Sequence, residues 1–114
     1  MAVTYFQDTI FFTDTSLSAP GDGTVLQVAS NNFFATKSYT LIVTLANKNT
    51  NVVVRLEGSI DGTNYAPIIA NQTISANGTT SYSVSDRPVK FIKPVFVSEA
   101  GGTDATVLFS LAAL

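Results

Sequence analysis

The chain has no cysteine, no histidine and no tryptophan, and only six Lys/Arg and eight Asp/Glu among 114 residues. Each absence removes a class of chemistry. Without cysteine there is no disulfide and no thiol nucleophile. Without histidine there is no imidazole acid or base, and the usual zinc ligands are missing. Small secreted domains often carry disulfides, so this composition favours folding in a reducing cytoplasm. The stretch MAVTYFQDTIFF lacks a cationic region followed by a long apolar run, so no signal peptide is read there. No run of about 18 apolar residues occurs, and no membrane-spanning helix is expected.

Charge is scarce as well. Charged residues make up 12% of the chain, against ~25% in ordinary soluble domains, and the net charge is −2. Lys37, Lys48, Arg55, Arg87, Lys90 and Lys93 are dispersed, apart from a short Arg87–Lys93 group without a continuous basic run. A surface that tracks phosphates needs clustered cations, so neither nucleic acid nor an anionic membrane is an expected partner. Thr, Ser and Asn stand where charge is usual. A neutral polar surface of this kind is inexpensive to dehydrate, which hints at assembly.

What the chain has is alternation. Tyr39, Leu41, Val43 and Leu45 point one way, and Thr40, Ile42, Thr44 and Ala46 the other. Val52, Val54 and Leu56 share one side, and Ala105, Val107, Phe109 and Leu111 another. β-branched and aromatic residues dominate these runs, as half-buried pleats prefer. Turn signals separate them at residues 19–23, 31–32, 47–51, Asp61-Gly62, Asn77-Gly78 and Gly101-Gly102. The sequons at Asn71 and Asn77 are read as polar turns. Strands are predicted at 3–6, 9–13, 24–29, 38–46, 51–58, 64–69, 80–84, 89–98 and 104–112. About eight short strands and no helical period imply an all-β, antiparallel two-sheet β-sandwich or jelly roll, a single domain spanning 1–114.

Residues 1–20 have two readings, an edge strand or an N-terminal arm that packs on another subunit. The loop SAPGDG is expected to detach them from the main body. Phe6, Ile10, Phe11, Phe12, Phe33 and Phe34 are the candidate protein-interface residues, since aromatics are enriched in interface cores as well as domain cores. Pro94 interrupts the run FIKPVFVS and belongs on an edge or at a bulge, because it donates no ladder hydrogen bond.

The loop LEGSIDGTNYAPI is the one stretch that resembles a ligand site. Asp-Gly between alternating runs signals a hairpin with a type I′ turn. Centred on Asp61-Gly62, the register sets Ser59 against Asn64, Gly58 against Tyr65 and Glu57 against Ala66, with the Tyr65 ring over the bare glycine. Calcium needs six to eight oxygens from several groups, and Asp61 has only Asn64 nearby. The plain turn is preferred. The alternative is a ligand-binding group of Asp61, Asn64 and Tyr65, which would stack a sugar on an aromatic beside polar acceptors.

Catalysis finds no support. No spacing singles out a carboxylate pair among Glu57, Asp61, Asp86, Glu99 and Asp104, and no Ser-x-x-Lys run offers an activated serine. The glycine pairs are not followed by helices that could cradle phosphate. No catalytic residue, metal or cofactor is expected.

The order Leu56-Glu57-Gly58-Ser59-Ile60-Asp61-Gly62-Thr63-Asn64-Tyr65, the Asn77-Gly78-Thr79 turn, Tyr82-Ser83-Val84, Val89-Lys90-Phe91-Ile92-Lys93-Pro94 and a Gly-Gly turn into a last apolar strand resembles small virion structural proteins of tailed bacteriophages. The resemblance covers residues 38–114. It implies a non-enzymatic head decoration (cement) protein on the capsid surface, synthesised in the host cytoplasm, that binds and stabilises the major capsid protein shell. Other virion proteins are further implied partners. Self-association is implied too, a trimer among the forms considered. The same local pattern resembles discoidin-type jelly rolls, without their Trp and Cys, and implies the alternative of a carbohydrate-binding or host-adhesion module. A tail or neck subunit is a third reading. No functional residues carry over, since such virion proteins act through surfaces.

Overall fold

The computed structural model describes residues 10–14, 16–29 and 36–114. Among them the chain is all-β, with nine antiparallel strands. These are β1 (Ile10–Thr13), β2 (Gly21–Asp22), β3 (Leu26–Gln27), β4 (Tyr39–Ala46), β5 (Val52–Ser59), β6 (Ala66–Ile74), β7 (Gly78–Val84), β8 (Phe91–Glu99) and β9 (Thr106–Ala113). One sheet has the order β1-β9-β4-β7 and the other β2-β8-β5-β6, with β3 also on β8. β2 and β3 act as one interrupted edge, so the architecture is two four-membered layers. Among the longer strands, only β5 and β6 are both consecutive and paired; the other connections cross between layers. That winding is a jelly roll.

The alternation dictates the core. Leu41, Val43 and Leu45 of β4 and Val107, Phe109 and Leu111 of β9 meet Val52, Val54 and Leu56 of β5 and Ile92 and Phe96 of β8. Period-2 apolar faces on both sheets bury against each other, as sheet packing requires. Tyr39 is buried beside them. Its hydroxyl donates to the Thr36 carbonyl at 2.8 Å and accepts from the Val89 amide at 3.2 Å, so its polar end is satisfied.

Several boundaries differ from the sequence reading. The predicted strand 3–6 lies outside the described residues. The region 24–29 contributes only the two residues of β3, while Gly21-Asp22, read as loop, pairs with Val95 and Phe96. SAPGDG therefore does not detach the N-terminal region. It stitches the edge of the second sheet, with the Gly23 amide donating to the Pro94 carbonyl at 2.7 Å. Buried Asp14 holds this crossing by accepting from the Thr24 amide at 2.6 Å and the Thr24 hydroxyl at 2.7 Å. Residues 10–13 run as an edge strand on β9, and Leu17 exchanges two backbone hydrogen bonds of 2.8 Å with Val107. Asn71 sits inside β6 rather than in a turn, because that strand runs on to Ile74.

Pro94 follows the physics of its ring. A strand residue sends its N–H and C=O to the same side, and the Pro94 carbonyl faces Gly23. β8 is an inner strand, not the edge expected for a proline; the missing donor falls on the side of the short strands β2 and β3, opposite Gly23, and the pairing with β5 is spared. The bulge in β8 lies further on, between the partners of Val53 and Val54. Beyond it, buried Glu99 accepts from the amides of Asn49 at 3.0 Å and Ala105 at 3.1 Å. Burial opposes its charge, but these backbone donors outweigh it and hold the carboxyl below its ordinary value.

Candidate interaction surface

The Asp61 loop is a self-contained turn. Asp61 Oδ1 accepts from the amides of Thr63 and Asn64, each at 2.8 Å, and from the Ser59 hydroxyl at 3.0 Å. Its Oδ2 accepts from Asn64 Nδ2 at 2.8 Å. The Asn64 and Thr63 amides, the Asn64 side chain and the Ser59 hydroxyl together hold the carboxyl far below the usual carboxylate range. The turn is wider than type I′. Gly62 has φ +81°, but Asp61 is not among the positive-φ residues. The Asp61 side chain supplies the turn bonds that a tighter backbone would have made. The register moves by one: Gly58 pairs with Ala66 and Glu57 with Pro67. Tyr65 therefore does not cover Gly58; the glycine is bare for a different reason, since a Cβ there would meet Ile68 and Val89 at 3.0 Å.

Tyr65 belongs to a separate cluster. Lys93 Nζ lies 4.4 Å from its ring centroid, a cation–π distance. The same ammonium pairs with Glu57 Oε1 at 3.3 Å and Asp22 Oδ2 at 3.1 Å, and Arg55 Nη2 reaches Glu57 Oε2 at 2.7 Å. Desolvation works against the Lys93 charge, but the hydrogen bonds and charges of Asp22 and Glu57 prevail and raise its pKa. The outer face of the β2-β8-β5-β6 sheet is thus charged, internally paired and partly roofed by the 59–65 loop, whose Gly62 lies against the Phe91 ring.

The outer face of the other sheet is the opposite. β4 presents Thr40, Ile42, Thr44 and Ala46; β9 presents Thr106, Leu108, Ser110 and Ala112; β7 presents Thr79, Ser81 and Ser83. The registers Ile42↔Ser110, Thr44↔Leu108 and Ile42↔Ser81 bring them side by side. None is charged. Ile42 is 36% exposed at the centre of this sheet. An uncharged surface of hydroxyls and small apolar groups costs less to dehydrate than a charged one, provided its hydroxyls find partners, and repels no partner electrostatically. At one end it runs into a cleft of about 660 Å³ lined by Ser38, Thr40, Ser83, Ser85, Arg87 and Ala112, among others.

The structure brings Asp61 and Asn64 together and uses both within the loop, while Tyr65 turns to Lys93 instead. Ile10, Phe11 and Phe12 occupy β1, opposite Ala113, Ala112 and Leu111. Phe6, Phe33 and Phe34 lie outside the described residues. Ile42 and Leu108 are aliphatic and so are not among the aromatics expected at an interface. Their signal was present: the polar side of the Tyr39–Ala46 alternation contains no charge.

No protein-family model matches the chain, and no curated protein matches it by sequence. Among solved structures it is similar to the SPBc2 prophage-derived protein YomS, with a TM-score of 0.57 at 12% identity over 100% of both chains. That likeness bears on the fold. A CBM4 structure (TM-score 0.46, 15% identity, 87% of this chain and 81% of that one) and the Tobacco streak virus coat protein (TM-score 0.43, 7% identity, 98% and 90%) are more distant, and no argument rests on them.

Proposed function

We propose that this chain is a non-enzymatic structural component of a virion, and that it acts as a capsid decoration protein seated on the major capsid protein shell. The observation that carries this reading is the uncharged outer face of the β1-β9-β4-β7 sheet. It lies opposite a face whose charges are already paired within the chain. The prophage origin in the name of the full-length fold neighbour supports a phage setting, as does the sequence resemblance over residues 38–114. Repetition on a shell lets many modest contacts add up, because each bound copy stabilises the subunits that it bridges.

The carboxylates suit a scaffold rather than a catalyst. Asp61, Glu57 and Glu99 spend their oxygens on internal donors or cations, the use that a scaffold makes of them. The test is location. Cryo-electron microscopy of the particle made by the encoding phage should place the protein on the outer shell, bridging capsid subunits. Density in the tail or neck would retain the virion role and reject decoration. Absence from purified particles would reject both.

A further inference from the structure

Among the described residues four edges bound the two sheets, and three of them are guarded. β2 and β3 are two residues long and β1 four. β6 carries Pro67 and two register shifts against β5. Short strands, proline, bulges and charge are how sheets keep an exposed row of N–H and C=O groups from templating another chain. β7 has none of these. Its sequence, GTTSYSV, runs seven residues without proline or charge. Its register with β4 is unbroken from Gly78↔Leu45 to Val84↔Tyr39. Alternate residues turn their backbone groups away from β4, and among the described residues no other strand or loop backbone bonds that outward row.

We propose that β7 is the pairing edge of a twofold dimer, in which the β7 strands of two copies run antiparallel and join two four-stranded sheets into one of eight. A twofold axis normal to the sheet imposes the antiparallel sense, and an isologous contact must be complementary to itself. Centred on Ser81, the pairing sets Thr79 opposite the partner's Ser83 and Thr80 opposite the partner's Tyr82. Hydroxyls meet hydroxyls on the exposed side, and a β-branched residue meets an aromatic on the core side; both are stabilising cross-strand pairs. No charge meets its own copy anywhere along the strand. The strand alone covers less than the ~800 Å² per partner of a standard interface, so the dimer forms in a concentration-dependent manner. The uncharged outer faces then run together as one surface. This inference stands whatever that surface binds.

The test is sedimentation velocity on the full chain across a concentration series, with hydrogen exchange measured at each point. The expected result is a monomer–dimer equilibrium in which amides of residues 78–84 gain protection as dimer accumulates. S81K sets like charges face to face and should weaken association about tenfold or more, and mixing S81K with S81E should restore it. I42K, on the neighbouring strand's outer face, should leave the dimer intact. A monomer at every concentration overturns the proposal. So does an oligomer without added protection in 78–84, or a dimer lost in I42K and kept in S81K. The wild-type exchange data decide the matter even where S81K fails to fold.

Discussion

Glu57 and Lys93 face each other across the β5–β8 ladder, with Lys93 Nζ 3.3 Å from Glu57 Oε1. Their side chains are only 11% and 15% exposed, so removing one partner leaves the other with a single counter-charge, Asp22 for Lys93 or Arg55 for Glu57, where water is scarce. E57Q is expected to destabilise the fold by about 1–3 kcal/mol, since it leaves Arg55 and Lys93 without their shared carboxylate. K93M should cost a similar amount. In urea titrations the double variant should fall short of the sum, with a coupling of about 0.5–3 kcal/mol. Additive effects would mean the pair is not coupled.

Gly62 combines φ +81° with a Phe91 ring that a Cβ would meet at 3.2 Å. G62V should therefore cost about 1–3 kcal/mol through backbone strain and crowding. G62A should cost less, because the alanine side chain ends at Cβ. An unchanged melting temperature for G62V would contradict the left-handed turn.

Much of this architecture was legible in the residues. The faces Leu41-Val43-Leu45, Val52-Val54-Leu56 and Val107-Phe109-Leu111 could be read directly, because a period of two leaves one solution when one side is apolar. The Asp61 turn was legible as a turn but not in its register. A single aspartate bonding two amides widens the loop by one residue, and dipeptide statistics do not carry that. β2 was hidden because Gly21-Asp22 has the composition of a turn and forms a strand only through pairing with distant Val95 and Phe96. The candidate surface was legible only in part. Thr40, Ile42 and Thr44 read as an ordinary solvent face until β9 and β7 bring further uncharged residues beside them.

Stability should fall in acid. Asp61 and Glu99 both have folded-state pKa values below their ordinary ones. As pH falls, the unfolded chain therefore takes up protons first. Their contribution is complete above the ordinary carboxylate range near pH 4 and is lost as pH falls through the folded values. The urea midpoint should drop between about pH 6 and about pH 3, and D61N should drop less steeply. Lys93 is shifted upward, so its share is lost only as pH rises past about 10.4, the ordinary lysine value.

The proposed seat on a virion shell is the outer face of the β1-β9-β4-β7 sheet. Co-sedimentation with undecorated capsids of the encoding phage tests it, using the wild type and the I42K/L108K double variant. Ile42 is exposed and Leu108 half-buried on the outer face, so lysines there can reach water, and circular dichroism should report an intact fold. The account predicts that the wild type pellets with the capsids in fixed stoichiometry, while the folded variant stays in the supernatant. Equal pelleting of both proteins would contradict the assigned face, and a wild type that remains soluble would contradict capsid decoration.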